Sequence, residues 1–113
     1  MLTSGDVVDL DLGMPAGSEA GFRHPAVVIT AQRILDRDPS VAHVVPLTST
    51  LRTTSAEIRI DPDPGNGLDV TSAARCQHLR AVSPQRVLER RGNVGSAILS
   101  QVRETIGLIL DLP

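Results

Sequence analysis

The chain contains no lysine, no tryptophan and no tyrosine; Phe22 is its one aromatic residue and Cys76 its one cysteine. Each shortage excludes something. Without several rings, nucleobases cannot be read by stacking on an aromatic platform. A lone thiol closes no intramolecular disulfide and fits a reducing compartment. The 11 basic residues are all arginine, and against 13 acidic ones they leave a formal charge of -2 and a pI near 5.8. That balance excludes a protein that coats nucleic acid or an acidic membrane by charge alone. It leaves open a groove that gathers a few placed guanidiniums. No stretch approaches the ~20 apolar residues of a membrane span, and the start lacks the basic-then-apolar profile of a signal peptide. A cytoplasmic location without membrane contact is therefore expected. What is present is an ordinary globular balance, 41% hydrophobic and 21% charged, in a length of 113 residues that suits one domain over residues 1–113. So short a chain buries only about two thirds of its unfolded surface, and a dimer interface would add stability.

Periodicity supplies the elements. Over residues 6–12, Val8, Leu10 and Leu12 alternate with Asp9 and Asp11, which predicts a strand with one wet face. Residues 13–22 are small and polar, with Pro15, Gly17 and Gly21, and read as a loop. Residues 25–29 and 43–47 are β-branched runs with little polar interruption, the pattern of strands buried on both faces. Between them, one helical turn around Ile34 and Leu35 ends before Pro39. Residues 57–61 alternate again, the prolines and glycines of 62–67 break regular structure, and strands resume at 69–72 and 74–82. Ser83-Pro84 predicts an N-cap with proline at the first helical position, opening a short helix that stops at Gly92, with Arg90-Arg91 as a cation pair at its end. Leu99, Val102, Ile106 and Ile109 recur at three- and four-residue spacing, so residues 96–110 form an amphipathic helix. The expectation is a mostly β, α+β fold: a small, partly open barrel capped by a C-terminal helix.

Several candidate sites fail on spacing. Asp61, Asp63 and Asp69 flank a Gly-Asn-Gly turn, but Asn66 stands where a calcium loop needs glycine and Ser72 where it needs glutamate. His24, His43 and His78 lack the partners of a zinc site. Cys76 fits a buried apolar role within a strand, and no glycine loop has nucleotide-binding spacing. Neither metal nor cofactor is expected.

Two places carry chemistry. In Gly17-Ser18-Glu19-Ala20-Gly21-Phe22-Arg23-His24-Pro25, a loop delivers a carboxylate, a guanidinium and an imidazole just before a buried strand. In Val44-Val45-Pro46-Leu47-Thr48-Ser49, a buried strand ends by presenting hydroxyls. If the two strand ends are neighbours, these groups converge on one pocket. An arginine holds phosphate oxygens bidentately, a hydroxyl donates to developing charge, and histidine, arginine or glutamate moves protons. That set suits phosphodiester chemistry without metal.

Gly5-Asp6-Val7, Asp11-Leu12, Gly17-Ser18-Glu19, Pro25-Ala26-Val27-Val28, Val45-Pro46-Leu47-Thr48-Ser49, Leu79-Arg80-Ala81-Val82, Arg86 and the closing helix, in this order, resemble the PemK/MazF family of toxin endoribonucleases from bacterial toxin–antitoxin pairs. The resemblance implies an SH3-like barrel, a homodimer, and metal-independent, sequence-specific cleavage of single-stranded RNA. The RNA's own 2′-hydroxyl would be the nucleophile, leaving 2′,3′-cyclic phosphate and 5′-hydroxyl ends. It also implies neutralisation by a cognate, MazE-like antitoxin whose acidic, disordered tail competes with RNA for the arginines. A non-enzymatic toxin of the same barrel, such as a gyrase poison, or a degenerate binder is the alternative.

By the same resemblance Thr48 is the transition-state donor and Glu19 an auxiliary loop residue. The family's arginine just before the proline is met here by Arg23-His24-Pro25. Arg23 reaching the phosphate from the loop with His24 as proton-transfer partner is the favoured assignment; His24 as the acid/base itself, with Arg23 only binding phosphate, is a second, and impaired catalysis a third. Where the family commonly has aspartate-glutamine, this chain has Gln77-His78 before Leu79-Arg80. Ser49, Arg52, Gln77, His78 and Arg80 are the expected RNA contacts. With aromatics so scarce, the bases would be read by hydrogen bonds and guanidinium planes.

Overall fold

A computed structural model describes residues 1–13, 23–52 and 54–113. The described residues form seven strands, β1 (Asp6–Asp11), β2 (Arg23–Val28), β3 (Ala42–Thr48), β4 (Glu57–Ile60), β5 (Ser72–Arg75), β6 (Arg80–Val82) and β7 (Val87–Asn93), with helices α1 (Gln32–Leu35) and α2 (Gly95–Ile109). All described pairings are antiparallel, in the order β4-β5-β3-β2-β1-β7, with β6 also on β3. The path has two ends among the described residues, so the expected barrel is an open one.

Alternation explains the core. In β1, β2 and β3, one set of side chains (Val7, Val27, Val45, Leu47) packs with Leu99, Val102 and Ile106 of α2, while the other (Val8, Leu10, Ala26, Val28, Val44) packs with Leu35 and Val82. β2 and β3 are thus buried on both faces, as their uninterrupted apolar runs predicted. β1 departs from expectation. Lying between β2 and β7, it buries Val7 and Val8 alike, and even Asp6 is 0% exposed. That carboxylate accepts from the Thr3 amide at 2.8 Å, Arg90 Nε at 2.9 Å and Asn93 Nδ2 at 3.1 Å, which offsets its desolvation.

The expected helix after Ser83 is corrected. The Ser83 hydroxyl does accept from the Gln85 amide and Pro84 does take the first position, yet only a single 3₁₀ turn, Pro84–Arg86, follows. The chain then pairs with β1 as β7, so Arg90 and Arg91 are strand residues, not a helix-end pair. Arg90 bonds Asp6, and Arg91 bonds Asp69 at 3.1 Å beside Asp9 at 3.6 Å. Pairing with an otherwise open edge outweighed a weak local helix signal. Two further boundaries move. Residues 69–71 are not strand, and the run expected over 74–82 breaks at a 3₁₀ turn, Cys76–His78, between β5 and β6. Cys76 is buried as expected but sits in that turn. In α2 the stripe holds for Leu99, Val102 and Ile106, whereas Ile109 is exposed.

Candidate active site

The two motif-bearing strand ends are neighbours. β2 and β3 are in register with Ala26 opposite Pro46, and the same register continued two residues sets His24 across from Thr48. Pro25 and Pro46 bring no N–H to that end of the ladder, which leaves the ends open to a ligand. β3 also changes partner here: Thr48 pairs with Ala73 of β5.

His24 and Thr48 line two adjoining depressions. The first, about 310 Å³, has Ser49, Asp69, Ser72 and Arg91 on its walls. The second, about 210 Å³, is bounded by Leu12, Pro46, Arg75 and His78. The Thr48 hydroxyl accepts from the Thr50 amide at 3.1 Å, a local turn that orients Oγ1 and leaves its proton to donate elsewhere. The His24 ring is partly buried, and burial is the largest influence on it, holding its pKa below the usual 6.5. A hydrogen bond to the Leu47 backbone carbonyl works the other way, and the charges of Arg75 and Arg80 add to the lowering. Burial thus favours the uncharged imidazole over the charged one.

Arg23 goes elsewhere. Strand alternation turns it to the face opposite His24, where it meets Asp9 at 3.4 Å and Glu89 at 3.2 Å. It lines neither depression, so the structure brings His24, and not Arg23, to Thr48. Glu19 lies outside the described residues. Ser49 is exposed at the rim of the first depression, and His78 is exposed beside Arg75 in the second. Arg80 is exposed on β6, close enough for its charge to act on His24. Arg52 is more remote, lining a separate hollow with Glu57 and Arg59. Gln77 donates to Glu57 at 3.3 Å. Among the described residues no group of three or more His, Cys, Asp or Glu could hold a metal ion, and no helix is long and apolar enough to cross a membrane.

Sequence reasoning missed Arg75, Arg91 and Asp69. Within a continuous strand Arg75 carries no mark; its place in the second depression with Thr48, two residues past the Ala73 that pairs with Thr48, follows only from the β3–β5 pairing. No local signal would have marked it.

Residues 3–110 match the family described as PemK-like, MazF-like toxin of type II toxin–antitoxin system. Over 118 residues the chain is 32% identical to Endoribonuclease MazF9 of Mycobacterium tuberculosis, covering 99% of this chain and 98% of that protein. Its fold is similar to the crystal structure of MazE-MazF from Deinococcus radiodurans, with TM-score 0.80, 23% identity and coverage of 99% of this chain and 97% of that one. It is similar also to an endoribonuclease in complex with its cognate antitoxin from a mycobacterial species, with TM-score 0.78, 19% identity and coverage of 100% and 98%.

Proposed function

The chain belongs to the PemK-like, MazF-like toxins of type II toxin–antitoxin systems, and from that premise we propose that it is an endoribonuclease that cuts single-stranded RNA where His24 meets Thr48. The observation that carries this reading is the convergence of the His24 imidazole and the turn-oriented Thr48 hydroxyl on the same two depressions.

In the proposed reaction the 2′-hydroxyl of the RNA attacks the adjacent phosphorus. The bond from O2′ to phosphorus forms, the bond to O5′ breaks, and the products end in a 2′,3′-cyclic phosphate and a 5′-hydroxyl. His24, whose burial favours the uncharged ring, accepts the proton from the 2′-hydroxyl; a water molecule protonates the departing O5′, and the imidazolium returns its proton to the hydroxide so formed. The Thr48 hydroxyl donates to a non-bridging oxygen as negative charge builds there. Both groups act without a metal. Arg23, held by Asp9 and Glu89 on the other face, is left to orient the strand end. Ser49 and His78 line the depressions and Arg80 is close enough for its charge to act on His24, so all three suit contacts to flanking nucleotides. Arg52 lines a separate hollow with Glu57, to which Gln77 donates.

The solved complex of a similar endoribonuclease with its cognate antitoxin supports a protein antitoxin as the physiological inhibitor. A homodimer suits the exposed Leu108, Ile109, Leu110 and Leu112 at the end of α2. The deciding experiment incubates purified protein with RNA in excess chelator and identifies the ends. Cyclic phosphate and 5′-hydroxyl ends are expected, with a loss of about 100-fold or more in Thr48→Val and His24→Gln. Intact RNA, or a chelator-sensitive cut, rejects the mechanism. Toxicity that survives Thr48→Val favours a non-enzymatic toxin.

A further inference from the structure

The site at His24 and Thr48 has an imidazole and a hydroxyl, but Arg23 faces away, and a phosphodiester needs a cation. Arg75 is the guanidinium on the wall of the same depression. It is the last residue of β5, where the β4–β5 register sets it directly across from Glu57. The Glu57 side chain is only 2% exposed, and its Oε2 lies 3.5 Å from Arg75 Nε. This is an ion pair without a hydrogen bond: neither Arg75 Nε nor Glu57 Oε1 has a hydrogen-bond partner among the described residues.

That arrangement differs from the other paired arginines. Arg90 is fastened to Asp6 at 2.9 Å, Arg91 to Asp69 at 3.1 Å, and Arg103 donates to the Ile29 carbonyl at 3.0 Å. Arg75 is tethered by charge, with its forked donors uncommitted among the described residues. A buried carboxylate is costly unless a cation stays beside it, so Glu57 keeps the Arg75 stem in place. Among the described residues the wall of the depression carries no carboxylate to repel an anion. We propose that Arg75 is the phosphate-holding residue of this site and that Glu57, from behind, is its positioning residue; this rests on the endoribonuclease reading above. The planar fork of a guanidinium matches two non-bridging oxygens at once, which a lysine does not reproduce.

The test compares Arg75→Lys, Glu57→Gln and the uncharged pair Arg75→Gln/Glu57→Gln with the parent, using single-stranded RNA and thermal melts of every variant. Arg75→Gln alone would strand the buried Glu57 charge, and the double variant avoids that. Arg75→Lys and the double variant are expected to lower kcat by about 10-fold or more while still melting cooperatively. Glu57→Gln, with the guanidinium retained but loosened, is expected to raise KM more than it lowers kcat. A second readout is the acid limb of the kcat/KM profile. His24 is faced by Arg75, Arg80 and His78 and, across the first depression, by Arg91 with Asp69. Removing the Arg75 charge should move that limb to higher pH, which a purely structural role would not do. The proposal is overturned if Arg75→Lys and the double variant cleave within about twofold of the parent and the limb of the double variant, which alone lacks the Arg75 charge, is unmoved. That result, with Thr48→Val and His24→Gln still inactive, leaves the site reading standing; activity in those two variants removes the site reading itself.

Discussion

One methyl group, added at two glycines, tests how the wall of the site is held. Gly92 lies in β7 with the 65–70 segment packed on its backbone, and Leu68, Asp69 and Val70 of that segment line the first depression. A Cβ at Gly92 would stand 2.4 Å from the Gly65 carbonyl oxygen, 2.6 Å from Asn66 C and 2.8 Å from Asn66 O. All three are backbone atoms. Ordinary contact begins at 3.4 Å, so the segment must withdraw by about 1 Å, which a close-packed interior resists. It is pinned besides by the 2.9 Å bond from the Asn93 amide to Gly65 O and by the buried Asn66 side chain, which bonds the Leu68 amide and the Asp61 carbonyl. Overpacking costs about 1–3 kcal/mol and the loss of one such bond about 1 kcal/mol. Gly92→Ala should therefore destabilise by about 3 kcal/mol, a fall of roughly 12 °C in Tm for a chain of this size. Gly107 in α2 is the control, because a Cβ there meets nothing within 4 Å. Gly107→Ala should stabilise by up to about 1 kcal/mol through helix propensity. Thermal melts followed by circular dichroism, with urea titrations as a check, measure both. A Gly92→Ala melt within about 2 °C of the parent would refute the reasoning, since the 65–70 segment would then be yielding at no cost.

Other consequences follow from burial and charge. Asp6→Ala removes a fully buried acceptor of three hydrogen bonds and should cost about 3 kcal/mol in urea unfolding. Arg23→Ala, whose side chain is 56% exposed, should cost less than about 1 kcal/mol; equal losses would contradict the burial argument. The lowered pKa of His24 means that, between it and the usual 6.5, the unfolded chain binds a proton that the folded chain does not. Stability contributed by this residue is thus full above pH 6.5, declines on acidification through that window, and levels off below the folded pKa. His24→Gln should flatten this part of the Tm–pH curve, and an unchanged curve counts against it. Burial, reinforced by the Glu57 charge, pushes the Cys76 thiol up to about 11. In the folded protein at pH 8 it should resist iodoacetamide and react once urea unfolds the chain; equal labelling rates would show that the thiol is reachable.

Where local pattern and tertiary demand agree, the elements were legible. The β-branched runs of β2 and β3 and the three- and four-residue spacing of α2 each have one good solution, because apolar faces of those shapes must be covered. Residues 87–93 show the opposite case. Val87-Leu88-Glu89-Arg90-Arg91-Gly92-Asn93 reads as a polar helix tail after a sound cap, and becomes strand because β1 offers it a ladder and Asp6, Asp9 and Asp69 offer its arginines partners. None of those partners is near in sequence. The candidate site divides the same way. His24 and Thr48 were legible as the polar ends of buried strands. On sequence, Arg23 is favoured over His24, one residue apart, with no knowledge of which face each takes, and period-two alternation sends adjacent side chains to opposite faces.

The sequence by itself determined the class of molecule: arginine-only, poor in rings, mostly β with one closing amphipathic helix, and bearing the ordered motifs that identify its family. These are properties of composition, period and order along the chain. Only the tertiary structure decided that Arg75 shares the second depression with Thr48. That depends on the register of β3 against β2 and of β5 against both β3 and β4. Register is a long-range property, since it is set by which faces are buried when distant segments pair. It turned Arg23 toward Asp9 and Glu89, and brought Arg75, with Glu57 at its back, to the side of His24.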